Sequence, residues 1–186
     1  MSFSVYALLA AGWGSSSKYS TLGGTRCIAQ CISYEVVLTI LILCFCLLSG
    51  FRLFYVTVHW GALLSLHLIF ILFIVVLAES NRSPFDFAEG ESELVSGYNV
   101  EFSGSGFVVL FLAEYLSILF LSLLVASLAF CSSLPSLLLG GCLFAFSFIW
   151  ARASLPRFRY DQLMALAWKS LLAVTLSSFL VFLVLY

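Results

Sequence analysis

The apolar run "IAQCISYEVVLTILILCFCLLS", residues 28–49, decides the fold class of this chain. A helix of about 20 apolar residues is long enough to cross the roughly 30 Å hydrocarbon core of a bilayer. Four further runs of similar character follow, at residues 60–78, 106–130, 134–151 and 164–186. We therefore predict an all-α fold, a polytopic transmembrane helical bundle with about five full spans.

The composition of the whole chain supports this prediction. Of its 186 residues, 63% are hydrophobic and only 9% are charged, whereas a soluble domain carries about 25% charged residues. A soluble globular fold is excluded, and no basic patch indicates binding to nucleic acid. No repeat or linker divides the sequence, so residues 1–186 are predicted to form a single membrane domain. Residues 1–12 are too short to span, and we expect them to be the end of a truncated helix.

The orientation of the bundle follows from its basic residues. If the predicted spans alternate in direction, the connections 13–27, 79–105 and 152–163 lie on one side of the membrane. Seven of the eight basic residues lie in these connections or just beyond them, and Arg52 alone lies on the other side. The positive-inside rule then predicts that the acidic loop 79–105 faces the positive side, which is the matrix in a mitochondrion.

The stretch "AESNRSPFDFAEGESELVSGYNVEF", residues 78–102, holds six of the nine acidic residues. Pro84 has no N–H to donate, so a helix cannot simply continue through it. In "EGESE", residues 89–93, the acids alternate, and an extended backbone would place them on one face. Two interpretations remain open: a solvated acidic surface loop, or a loop that folds back as the wall of a polar chamber at the membrane surface.

Further acids lie inside or beside the predicted spans. Glu35 and Glu114 are within the first and third spans, Glu79 ends the second, and Glu101 precedes the third. A carboxylate at the centre of a bilayer costs about 3 kcal/mol, so such groups usually face a bundle interior or water. We predict that these four acids lie at similar depth and are candidate proton carriers. The alternative is that each reaches for lipid headgroups near the interface.

Opposite charge follows in "RASLPRFRYDQLMALAWK", residues 152–169. Its arginines are expected to neutralise part of the acidic loop on the same side, because arginine–carboxylate pairs hold fixed geometry where water is scarce. The alternative is that these arginines only anchor the segment on the positive side of the membrane.

The six cysteines form no CxxC cluster typical of zinc or iron–sulfur sites. Cys27 and Cys31 share a helix face, but no second pair completes a metal site, and we interpret the cysteines as small hydrophobes.

These segments together resemble a known family. Residues 78–102, "GWGSSSKYSTLGGTRCIAQCISYEV" (12–36), "AEYLSILFLSLL" (113–124) and "LPRFRYDQLMALAWK" (155–169) are collinear with motifs of one membrane subunit. They resemble membrane subunit 1, the bacterial H subunit, of proton-pumping NADH:ubiquinone oxidoreductase, which is respiratory complex I. The resemblance covers residues from about 5 to 180.

The resemblance implies a role for each charged segment. It implies a quinone-access chamber, an acidic path from that chamber toward proton translocation, and charged loops on the matrix side. The implied chamber residues are Arg26, Glu79, Arg82, Phe85, Asp86, Phe87, Glu89 and Glu91. The implied proton path comprises Glu35, Glu101 and Glu114, and the implied charged matrix loop comprises Arg157, Arg159 and Asp161.

The resemblance also implies partners and a location. Ubiquinone would be the substrate, while NADH, FMN and iron–sulfur clusters would lie on partner subunits, since this chain has no dinucleotide fingerprint or cysteine cluster. No catalytic residue or metal ligand is expected here. The location implied is the mitochondrial inner membrane. In the family, three helices precede "GWGSSSKY", and we expect a separate chain to supply them.

Other functions remain open at this stage. A related membrane subunit of a hydrogenase-type complex shares the loop architecture. An ion-coupled transporter would also place acids in helices, but it is expected to show inverted repeats or broken helices, and the sequence contains no repeat. A purely structural anchor would have no need to tolerate the cost of the buried acids.

Overall fold

The computed structural model describes residues 2–48, 62–86, 103–130 and 133–185 of the chain. In these ranges all regular secondary structure is helical, which confirms the predicted all-α polytopic bundle. The helices are α1 (Ser2–Gly14), α2 (Lys18–Leu48), α3 (Ala62–Glu79), α4 (Ser105–Phe130), α5 (Leu134–Ser154) and α6 (Tyr160–Ala165), and then a π-helical segment (Leu166–Leu171) leads into α7 (Leu172–Leu185).

Four helical stretches of the described residues are long and apolar enough to cross a membrane. They are Lys18–Leu48, Ser105–Ala129, Leu134–Ser154 and Tyr160–Val184. These stretches coincide with the first, third, fourth and fifth predicted spans. The second prediction, 60–78, coincides with α3, which the structure describes from Ala62 to Glu79.

The first long helix extends well beyond the apolar run from which it was predicted. α2 begins at Lys18 rather than at residue 28. The polar residues 18–27 are helical as well, although their hydropathy is not that of a membrane span. This extension pairs with α1 in a tight hairpin, in which the Ser20 hydroxyl donates to the Gly12 carbonyl at 2.9 Å. A Cβ at Gly12 would lie 3.6 Å from the Cα of Gly24, so small residues allow the two backbones to approach closely.

Helix α2 is also central to the main hydrophobic core. Its buried side chains, including Tyr34 and Leu41, pack with α3, α4, α5 and the last helical stretch. The Tyr34 hydroxyl donates to the Leu163 carbonyl at 3.1 Å, and the Trp168 indole donates to the Ser33 hydroxyl at 3.3 Å. These bonds attach the beginning of the last helical stretch, including its π-helical segment, to the middle of α2.

Helices α4 and α5 form a second close pair. A Cβ at Gly141 would lie 2.6 Å from Cδ2 of Leu123, so only glycine fits there without displacing that leucine. This agrees with the close packing that small residues promote between membrane helices. The outer face of α4 is lined by exposed apolar side chains such as Leu112, Leu116 and Leu119, as expected where a helix meets lipid.

A carboxylate-lined cavity as the candidate functional site

A cavity of about 250 Å³ lies where α1, α2, α4 and the C-terminal end of α3 meet. Most of its wall is apolar, and its polar groups are concentrated near the end of α3. The lining residues are Ala7, Leu8, Cys27, Cys31, Glu79, Ser80, Asn81, Leu110, Ala113, Glu114, Ser117, Phe120 and Leu121. Two acids from different helices, Glu79 and Glu114, therefore face one apolar space.

The polar end of the cavity is shaped by the turn that ends α3. The Ser80 amide still donates to the Val76 carbonyl at 3.0 Å, but Asn81 adopts a positive φ of 51° and the helix stops. Asparagine tolerates this left-handed backbone better than most residues. Glu79, the last helical residue, is thereby held beside Ser80 and Asn81 in the cavity wall.

Gln30, on α2, fastens this turn to the bundle. Its fully buried side-chain amide donates to the Ala78 carbonyl at 2.8 Å and to the Phe85 carbonyl at 3.0 Å. One side chain thus ties the last turn of α3 to the segment that follows it. The Ala78 carbonyl also accepts from the Asn81 amide at 3.3 Å, so it is the buried Phe85 carbonyl that Gln30 keeps from the cost of an unpaired acceptor.

Arg82 forms the strongest polar contact of the site. Its guanidinium Nη2 donates to Oε2 of Glu114, and the pair is largely buried, with side-chain exposures of 7% and 17%. The guanidinium carbon also lies 5.4 Å from the ring centre of Phe111 and 5.2 Å from that of Tyr115. These are distances at which an aromatic face attracts a cation. Arg82 is therefore held on α4 by one charge and two rings.

Glu79 differs from Glu114 in its surroundings. Its Oε2 atom is buried and has no hydrogen-bond partner among the residues that the structure describes. A buried polar oxygen without a donor is unfavourable, so this position suits a proton, a water molecule or the donor group of a ligand. Glu35, one turn after Cys31 on α2, lies close enough to Glu79 to interact electrostatically.

The residues after Arg82 are joined to the segment before the last helical stretch. Asp86 forms an ion pair with Arg157 at 3.3 Å, and the Phe85 and Phe158 rings stack with their centres 5.5 Å apart. The Phe158 amide donates to the Pro84 carbonyl at 3.1 Å. The predicted neutralisation of the acidic loop is thus found at Arg157.

The structure brings together only part of the predicted site. Glu79 and Glu114 line the cavity, and Arg82 adjoins it through its ion pair. Arg26 and Glu35 are partly buried on α2 and are outside the cavity lining, while Phe85 and Asp86 are buried on the Arg157 side. Arg159 and Asp161 form an exposed pair at 3.6 Å. Phe87, Glu89, Glu91 and Glu101 lie outside the described residues.

Sequence reasoning missed several residues of the site. Gln30 is a polar residue within an apolar run, and such a pattern indicates a buried hydrogen bond. Cys27 and Cys31 line the cavity, and the Asn81 side-chain amide donates to the Cys31 sulfur at 3.3 Å. No signal in the sequence pointed to that contact, which joins positions far apart in the chain. In the described part of the chain no group of three or more His, Cys, Asp or Glu residues could hold a metal ion.

Comparison with known proteins gives a consistent picture. A family model described as NADH dehydrogenase matches residues 1–183. The chain is 50% identical over 183 residues to a protein of Aedes aegypti, covering 95% of this chain and 58% of that protein. It is 51% identical over 189 residues to a protein of Myxine glutinosa, covering 95% and 59%.

Both of these relatives are named NADH-ubiquinone oxidoreductase chain 1, and so is a Strongylocentrotus purpuratus protein that is 45% identical over 191 residues. The chain spans less than two thirds of the length of these relatives. The match of the family model over residues 1–183 agrees with the resemblance seen in the motifs of the sequence. The chain belongs to the NADH dehydrogenase family.

Proposed function

We propose that the chain is a core membrane subunit of proton-pumping NADH:ubiquinone oxidoreductase. In this proposal the cavity forms part of the quinone-access chamber, and the carboxylates around it begin the path that links quinone reduction to proton translocation. The observation that carries the proposal is the combination of an apolar wall with two acids of different environment. Glu114 is paired with Arg82, whereas Oε2 of Glu79 has no partner among the described residues.

The lining of the cavity suits an amphipathic ligand such as ubiquinone. Leu8, Leu110 and Phe120 offer an apolar surface for a hydrocarbon tail, while Ser80 and Asn81 offer hydrogen-bonding groups at one end. Ligand pockets of this kind are mostly apolar, with a few polar groups that fix orientation. The cavity is suited to hold part of the molecule, with the head directed toward the end of α3.

The charged groups supply the second part of the proposed function. Arg82 forms an ion pair with Glu114, whereas no cation among the described residues forms an ion pair with Glu79. In enzymes, two acids held in different environments take different roles in proton transfer. In the proposed path, Glu79 exchanges protons with the quinone site, and Glu35 and Glu114 respond to its charge.

The proposal extends to location and partners. The four long apolar helices and the animal origin of the relatives support a multi-pass protein of the mitochondrial inner membrane. NADH, FMN and the iron–sulfur clusters are assigned to partner subunits, with which this chain would assemble.

The test is purification of the complex through a tag on this chain, followed by assay of NADH-dependent ubiquinone reduction. We expect inhibitor-sensitive activity and copurification of iron–sulfur subunits. Glu79→Gln is expected to lower turnover by at least about 100-fold, the lower end of the range of about 10²–10⁴ that one proton-transfer group contributes, while the complex still assembles.

The matched control is Asp161→Asn, because Asp161 is an exposed acid of the same chain, away from the cavity. It is expected to leave turnover unchanged. A purified complex without NADH–quinone activity would contradict the proposal as a whole. Equal turnover in Glu79→Gln and Asp161→Asn would contradict the role given to Glu79.

A further inference from the structure

We propose that Cys31 is a covalent modification site for small, uncharged α,β-unsaturated carbonyl compounds that enter the cavity from the apolar phase. Cys27 and Cys31, one turn apart on α2, both line the cavity, although their overall exposures are only 0% and 3%. Cys31 is therefore reached through the cavity, whereas Cys27 is fully covered. This inference concerns reactivity of the chain itself and stands whether or not the cavity binds quinone.

The cavity provides a route for such a compound. Three of its lining residues, Ala113, Ser117 and Phe120, are also exposed on the outer face of α4. The mouth of the cavity therefore lies on a face that is otherwise apolar, and uncharged molecules are favoured there over ions. The volume of about 250 Å³ is sufficient, since an apolar cavity of about 150 Å³ already admits benzene.

Asn81 distinguishes Cys31 from the other thiols. Its side-chain Nδ2 donates to the Cys31 sulfur at 3.3 Å, and the sulfur lies 3.8 Å from Oδ1 of the same amide. The thiolate is the reactive form of cysteine, and a hydrogen bond to an ionised acceptor is stronger than one to a neutral acceptor. The Asn81 amide is thus placed to hydrogen-bond the ionised sulfur from which the attack begins.

The reaction needs no further reactant. The Cys31 sulfur adds to the β-carbon of the unsaturated carbonyl compound, so that a carbon–sulfur bond forms and the carbon–carbon π bond is lost. The thiol proton is transferred to the α-carbon, which leaves a neutral thioether and an intact carbonyl group. No electron acceptor is consumed, and no group leaves.

The chain contains two thiols that serve as matched comparisons. Cys44 is fully buried in the main core and is outside the cavity lining. Cys142, on α5, is exposed but is also outside the cavity. If exposure to the apolar phase alone determined the rate, Cys142 would react before Cys31. If the cavity and the Asn81 amide determine it, Cys31 reacts first.

The experiment treats the assembled, purified complex with N-ethylmaleimide for increasing times and measures the adduct at each cysteine by peptide mass spectrometry. Cys31 is expected to react about tenfold faster than Cys44 or Cys142, because the thiolate is the nucleophile. A maleimide that carries a sulfonate is expected to leave Cys31 unmodified. Reaction of Cys142 or Cys27 ahead of Cys31, or equal reaction of Cys31 with both reagents, would overturn the proposal.

A variant tests the part assigned to Asn81. Asn81→Gly removes the amide donor and keeps the positive φ, which glycine adopts readily. We expect the rate at Cys31 to fall several-fold and the rate at Cys142 to stay the same; an unchanged rate at Cys31 would overturn the proposal. If this variant does not assemble, the comparison of the two reagents on the unaltered complex still decides the question.

Discussion

Arg82 and Glu114 form a largely buried ion pair that joins the turn after α3 to the middle of α4. The two residues are far apart in sequence, and each contributes to the cavity wall or its immediate surroundings. The pair therefore serves both the packing of the bundle and the charge distribution of the candidate site. The Phe111 and Tyr115 rings of α4 also contact the Arg82 guanidinium.

Removal of the arginine is expected to be costly. Arg82→Leu leaves the Glu114 carboxylate without its cation in a low-dielectric site, and breaking a buried pair in this way costs about 3–5 kcal/mol. We predict reduced assembly and faster thermal inactivation of the complex. The double variant Arg82→Leu with Glu114→Leu removes both charges and is expected to recover part of the loss; a double variant less stable than Arg82→Leu would contradict this account.

Gln30 is expected to matter for the same turn through hydrogen bonds rather than charge. Gln30→Leu removes both bonds to the Ala78 and Phe85 carbonyls. The Ala78 carbonyl still accepts from the Asn81 amide at 3.3 Å, so the cost of about 1–3 kcal/mol for a buried acceptor left unpaired falls on the Phe85 carbonyl. Thermal inactivation of the purified complex would measure the effect. Gln162→Leu, at an exposed position of α6, is the matched control, and an equal effect of the two substitutions would refute the prediction.

The contact of α4 with α5 gives a third prediction. Gly141→Ala would place a methyl group 2.6 Å from Cδ2 of Leu123. Because Leu123 is 40% exposed and its end can move, we expect a cost at the lower end of the range of about 1–3 kcal/mol that is typical of overpacking. Leu123→Ala provides room for the new methyl group. It should therefore reduce thermal stability less in the Gly141→Ala variant than in the unaltered protein. Thermal inactivation of the four proteins tests this, and strictly additive effects would argue against the contact.

Substitution of Arg157 and substitution of Arg159 are expected to have different effects on thermal stability. Arg157 pairs with the buried Asp86, whereas Arg159 pairs with the exposed Asp161, where the side chains are 81% and 79% exposed. An exposed pair contributes about 0–1 kcal/mol. Arg157→Ala should therefore lower the thermal stability of the complex clearly, and Arg159→Ala should leave it nearly unchanged. The reverse order would show that the Asp86 contact does not hold the segment.

Hydrophobicity along the sequence predicted the helices well, because a long apolar run in a chain this poor in charge has few structures available to it. The same reasoning predicted Glu79 and Glu114 as site residues, since acids are rare where they cost free energy. It could not predict that α2 begins at Lys18, because helical hydrogen bonding does not depend on hydropathy.

The contacts between residues of the site could not be predicted from the sequence, for a different reason. The contact of Arg82 with Glu114, and that of Gln30 with two carbonyls near the end of α3, each join residues on different elements. Their formation depends on how the helices pack, which a pattern along one chain does not specify. The pairing of Arg157 with the acidic loop was within reach, because both segments were predicted on one side of the membrane and carry opposite charge.

The central claim is that the cavity between α1, α2 and α4 forms part of a quinone-access chamber. The most direct test is photoaffinity labelling of the assembled complex with a quinone that carries a photoreactive group near its head, followed by mapping of the labelled peptides. We expect adducts on residues 79–81 and 27–31, which line the cavity at the end where the head is proposed to lie, and their loss when excess ubiquinone is present. Labels confined to other segments, or adducts here that ubiquinone does not displace, would contradict it.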